Sequence, residues 1–141
     1  MALVFDTGPL FASLDRRDGS HEDCRRLIET ATESVLVPTT VLPEVDYFIE
    51  QYLRPQIRLA LLNDIKAGAF QVVDLQTEDY DRILEICGVY ADANIGFVDA
   101  SVLAIVQRLG ETKLATLDHR HFGMMRPRHR SSHLASLAAR R

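Results

Sequence analysis

Cysteine is scarce in this chain of 141 residues: there are two, Cys24 and Cys87. They are far apart, lie in segments of helical pattern, and form neither a C-x-x-C pair nor a Cys/His set at zinc spacing. That excludes a disulfide framework and leaves buried free thiols as the expectation. Long apolar runs are missing too, none approaching the roughly 18 residues that a membrane-spanning helix needs. The opening "MALVFDTGPL" has no basic stretch ahead of its short apolar run, so a secretory leader is not expected, and a cytoplasmic protein is. Internal repeats and low-complexity segments are absent. Acidic residues are absent from one region only, residues 119–141, which hold six Arg and four of the five His. Residues 1–118 hold all 20 acids and 10 of the 16 bases, so a cationic end of charge +6 follows a body of charge -10. Two readings of that end stay open, a solvated tail and a surface for a polyanion such as nucleic acid.

With 47% hydrophobic and 26% charged residues, the composition is that of one ordinary globular domain, long enough to bury a core unaided. "ALVF" (2–5), "SVLVP" (34–38), "FQVVDL" (70–75) and "KLATLD" (113–118) are short apolar runs that read as buried strands. "DTGP" after the first reads as a turn. Between the strands lie helical patterns. Ser20 is a candidate cap for "SHEDCRRLIETAT", Thr39 or Thr40 for "TTVLPEVDYFIEQYL", and Thr77 for "TEDYDRILEICGVYAD". "PQIRLALLNDIKAG" has Pro55 near its start and Gly68 past its end. "DASVLAIVQRLG" is apolar on nearly every face and should be an interior helix opened by Asp99. Strands that are apolar throughout, alternating with helices, predict an α/β domain with a central parallel sheet covered on both faces. The domain is expected over residues 1–127, with a basic tail over 128–141 whose "SSHLASLAARR" leaves open a short helix, an edge strand or an irregular end.

In such a sheet, ligands gather outside the carboxyl ends of the strands. Asp6 and Asp118 directly follow strands, and Asp99 stands at the start of the interior helix. Asp74 also follows a strand, but Leu75 prolongs the apolar run, so Asp74 reads as structural. Val41, Val45, Phe48, Ile49 and Tyr52 make one apolar stripe, and Glu44 borders it, while Asp46 and Glu50 lie on another side and read as solvated charges. Capping accounts for any one of these acids alone. Several acids converging on one pocket, however, require a positive charge among them. Hard oxygen donors without soft partners favour Mg²⁺ or Mn²⁺ over zinc. Such an ion serves phosphodiester hydrolysis.

Asp6 in "DTG", Glu44 in "PEVDY", Asp99 in "GFVDAS" and Asp118 in "TLDHRHF", in this order and spacing, resemble the PIN-domain ribonucleases, and among them the VapC toxins of bacterial toxin–antitoxin pairs. The resemblance covers roughly residues 2–127 and implies a three-layer α/β/α fold. It implies an Mg²⁺- or Mn²⁺-dependent endoribonuclease acting on structured RNA (tRNA or ribosomal RNA), a homodimer, and inhibition by a cognate VapB-like antitoxin. Carried over, the catalytic set is Asp6, Glu44, Asp99 and Asp118, with Asp6, Asp99 and Asp118 on the metal and Thr7 in a supporting contact. Gly8 stands where the family more often has Ser, and the polar, basic end departs from the short apolar strand that usually closes the family's fold. Arg120, Arg126, Arg128 and Arg130, with His119 and His121, would flank the same edge and meet RNA phosphates. The His119/His121 pair lacks the further partners that zinc needs. Two other classes remain: a non-catalytic PIN-like partner, and a receiver-type acidic-pocket binding module. The latter wants adjacent acids after the first strand and a late Lys, where this chain has "FDTG" and "TLDH".

Overall fold

The computed structural model describes residues 2–93, 95–110, 112–117 and 133–136, the last four as backbone. Five parallel strands form one sheet in the order β3-β2-β1-β4-β5: β1 (Ala2–Phe5), β2 (Ser34–Pro38), β3 (Gln71–Val73), β4 (Thr112–Thr116) and β5 (His133–Ser136). β1 is central, with Val4 opposite Leu36 on one side and Leu114 on the other. Leu3, Val4, Phe5 and Leu114 are buried, as strands covered on both faces must be. Of the three readings left open for the chain's end, residues 133–136 take that of an edge strand, parallel to β4.

Among the described residues six α-helices cover the sheet. α1 (Thr7–Leu14) and α2 (His21–Thr30) join β1 to β2, and α3 (Val41–Tyr52) and α4 (Pro55–Lys66) join β2 to β3. α5 (Thr77–Val89) and α6 (Phe97–Leu109) join β3 to β4. α1 packs on α2 and α3, and α3 on α4, whereas α5 packs on α6. This grouping follows from right-handed crossovers: the chain winds outward from β1 to β3 and then turns back to β4, which moves the later helices to the opposite face. α6 is the most enclosed, with Ala100 to Val106 all buried.

Several local expectations need correction. "DTGP" is not a free turn, because Asp6 caps α1 and Pro9 sits in its first turn, where a missing N–H costs nothing. α5 is capped by Gln76 with Asp79 in a capping box, not by Thr77. α6 begins at Phe97 with Gly96 at the cap position, so Asp99 lies inside the first turn and does not open the helix. Neither Ser20 nor Thr40 makes a side-chain cap bond, although each holds the cap position. Tyr52 leaves the apolar stripe and is exposed. Asp46 and Glu50 both bind Arg58 and tie α3 to α4, so they are paired and not merely solvated. Cys24 is buried, and burial together with Asp18 and Asp23 pushes its thiol up to about 12, as expected of an inert core cysteine.

Candidate active site

The return of the chain from β3 to β4 places a topological switch between β1 and β4, which is where an open α/β sheet leaves a crevice at its carboxyl edge. A cleft of about 540 Å³ lies there, lined among others by Asp6, Thr7, Glu44, Phe97, Asp99 and Leu117. Each acid arrives on a different element. Asp6 follows β1 directly, and its N–H still bonds the Ala115 carbonyl at 3.1 Å, extending the β1/β4 ladder by one residue. Glu44 sits in the first turn of α3 and Asp99 in that of α6. The first turns of α1, α3 and α6 therefore all border the cleft, and the positive ends of three helix dipoles partly offset its carboxylates.

Asp6 is 6% exposed, and both of its carboxyl oxygens are engaged. The Thr7 N–H donates to Oδ1 at 2.8 Å, and the Thr116 hydroxyl donates to Oδ2 at 3.2 Å. Burial, then the negative charge of Asp99 and that of Glu44, push the Asp6 carboxyl up to about 6 against the lowering effect of those two bonds. The influence of Asp99 and Glu44 on Asp6 is the electrostatic sign that the acids share one space. Asp99 and Glu44 themselves are half-buried.

Two hydroxyl residues that sequence reading did not assign to the site hold the acids in place. Thr116 binds Asp6 directly. Ser101, fully buried in α6, donates to the Val98 carbonyl at 2.6 Å and lies 2.6 Å from the Thr40 hydroxyl at the start of α3. Because Ser101 has one proton and Val98 takes it, Thr40 is the donor to Ser101. The strip of α3 that carries Glu44 is thereby pinned to the turn of α6 that carries Asp99. Thr7 lies in the cleft as expected, with its buried Oγ1 unpartnered among the described residues. A Cβ at Gly8 would meet Leu117 at 3.5 Å, an ordinary contact, so space does not force glycine there. Asp74 lies just beyond β3, not within it, and accepts a bond from Thr39 away from the cleft. Asp118, His119, Arg120, His121, Arg126, Arg128 and Arg130 lie outside the described residues.

The donor set fits a hard divalent cation. It consists of carboxylate and hydroxyl oxygens, with one buried hydroxyl still without a partner among the described residues. Among those residues no three His, Cys, Asp or Glu close into a ready cage.

A fold of this topology with acids at its switch point defines a class, and the family model of the PIN domain matches residues 3–124: the chain belongs to the PIN domain family. It is 26% identical over 125 residues to Ribonuclease VapC26 of Mycobacterium tuberculosis (strain ATCC 25618 / H37Rv), covering 89% of this chain and 93% of that one. Among solved structures it resembles VapC20 of Mycobacterium tuberculosis, described as a sarcin-ricin-loop-cleaving toxin, with a TM-score of 0.77 at 17% identity over 86% of this chain and 94% of that one. It also resembles VapBC2 of Rickettsia felis bound to a promoter DNA fragment, with a TM-score of 0.70 at 14% identity over 96% of this chain and 98% of that one. The three-layer α/β/α fold with a parallel sheet is as the sequence led one to expect.

Proposed function

We propose that this chain is a VapC-type toxin, a divalent-metal-dependent endoribonuclease that hydrolyses structured RNA, tRNA or ribosomal RNA, and is silenced by a cognate VapB-like antitoxin. One observation carries the reading: three acids from three separate elements line one cleft, where burial and the charges of Asp99 and Glu44 hold the Asp6 carboxyl above its ordinary range. Carboxylates gathered in one cleft repel one another, and a bound divalent cation offsets that repulsion.

Asp6, Asp99 and Asp118 would hold the ion, Mg²⁺ or Mn²⁺. When bound, the ion lowers the charge barrier to attack on a phosphodiester and stabilises the leaving oxygen. Glu44 orients the attacking water and takes its proton. Thr116 keeps the Asp6 carboxyl turned toward the cleft, and the Thr40–Ser101 bridge fixes Glu44 relative to Asp99. Arg120, Arg126, Arg128 and Arg130 engage RNA phosphates, which reconciles an acidic body with an anionic substrate.

The partners of this reading are supported by the relatives, which include toxin–antitoxin complexes. Large apolar side chains in water also support it: Tyr47, Tyr52, Leu59 and Leu62 on α3 and α4, and Leu84 and Val89 on α5, offer surface for an antitoxin and for a second copy in a homodimer. No helix among the described residues is long and apolar enough to cross a membrane, and the reading places the protein in the cytoplasm. The test is cleavage of tRNA and ribosomal RNA by the purified chain. Cleavage that stops in EDTA and returns with Mg²⁺ or Mn²⁺ supports the proposal; intact RNA under every metal condition overturns it.

A further inference from the structure

The acidic cleft has a wall that the hydrolytic chemistry leaves unused. Phe97, the first residue of α6, lines it with 48% of its surface in water. Behind it stands Tyr80 of α5, 49% exposed, with ring centroids 6.4 Å apart and planes only 25° from parallel. Phe48 is the cleft's other aromatic, and its ring is engaged by Phe11, Tyr47 and Tyr52. Among the described residues lining the cleft there is no Lys, Arg or His. A nucleic-acid strand entering it gains no phosphate pairing from these walls. What they do offer is a flat, exposed, braced ring beside the carboxylates, and bases that have left a helical stack are held on such rings.

We infer that Phe97, supported by Tyr80, is a stacking platform for one unpaired base next to the phosphodiester that the carboxylates attack, so that the substrate must present an unstacked nucleotide at the cut. This rests on the nuclease reading of the cleft. The ring's position also sets a specificity: a continuous duplex, whose bases are stacked on one another, has no free face to give it.

The experiment uses the full chain in a Glu44→Gln background with Mg²⁺, so that RNA binding is followed with cleavage suppressed. Short RNA hairpins carry 2-aminopurine, or an abasic nucleotide, at successive loop positions. At one position the fluorescence changes on binding, and Phe97→Ala and Phe97→Leu abolish that change and weaken binding on the order of tenfold to a hundredfold. Phe97→Tyr retains both. An abasic nucleotide at that position weakens the parent protein as much as Phe97→Ala does, and the two losses do not add. The inference is overturned if the losses add in full, if Phe97→Leu binds as well as the parent, or if Phe97→Ala only shifts sedimentation from dimer to monomer, which would assign the ring to a second copy. RNA cleavage by the protein with native Glu44 separates the two readings. Cleavage unaffected by Phe97→Ala removes the platform and leaves the nuclease, whereas coupled binding without any cleavage removes the nuclease and leaves the platform.

Discussion

The hydroxyl of Thr40 donates to that of Ser101 at 2.6 Å, bridging α3 and α6 across 61 positions of sequence and joining the two helices that deliver Glu44 and Asp99. Ser101 is fully buried, so its loss takes the acceptor from the Thr40 hydroxyl, while the Val98 carbonyl keeps its place in the helix ladder. Ser101→Ala should cost roughly 1–3 kcal/mol of stability, and Thr40→Val somewhat less. The double variant should cost less than the sum, with a coupling near 1 kcal/mol in urea denaturation. RNA cleavage should fall in each single variant by more than its stability loss explains. Strict additivity in the cycle would remove the bridge from the account.

Asp6 gives a pH signature. Its carboxyl titrates at about 6 in the fold against an ordinary 3.8, so the folded protein holds this proton more tightly than the unfolded chain does. The metal-free protein therefore has the full contribution below pH 4 and loses it as pH rises through 6. Asp6→Asn keeps a good helix cap and removes the charge. It should leave stability nearly unchanged at pH 4 and raise it at pH 7.5 in EDTA, by an amount on the order of 2 to 3 kcal/mol. A stability difference that is flat across this range would contradict the buried, like-charge environment of Asp6.

Glu44→Gln and Asp99→Asn should each lower RNA cleavage by roughly a hundredfold or more while the far-UV spectrum and melting temperature stay close to the parent's. Both residues are half-buried and neither lies in the apolar core, so removing either charge leaves the core packing intact. Retained turnover in either variant would remove that residue from the mechanism.

Away from the cleft, Arg108 holds Asp79 at 3.0 Å, and Asp79 is 2% exposed while also accepting the Gln76 N–H that starts α5. Arg108→Met leaves that carboxylate buried without its cation. A loss of about 3 kcal/mol or more is expected in chemical denaturation. An unchanged midpoint would show that Asp79 is served by its backbone bond alone.

Four of the five strands were legible because each lies in a short, mostly apolar run bounded by residues that break it, whereas β5, "HLAS", is no such run and was left open. Three of the four nominated acids could be read the same way. Asp6 directly follows such a run, Glu44 borders the buried stripe of α3, and Asp99 stands in the first turn of an unusually apolar helix. Asp118 follows β4, beyond the described residues. The misread parts share a physical reason. A Ser, Thr or Asp before a helix satisfies a backbone N–H equally well from adjacent positions, and tertiary contacts decide which one does. Thus Thr40 looked like a cap but spends its proton on Ser101. "DTGP" suits a turn and a capped helix start alike, and only the burial of α1 against the sheet selects the second. Phe97 fell ahead of a helix expected to open at Asp99, and nothing local announced Tyr80 as its neighbour.

The most direct test of the central claim is calorimetric titration of Mn²⁺ into the metal-free protein, with Asp6→Asn and Asp99→Asn in parallel. A saturable heat in the parent that weakens at least tenfold in both variants is the expected result. No uptake by the parent, or uptake that ignores both substitutions, would mean that these carboxylates do not form one ion-holding site.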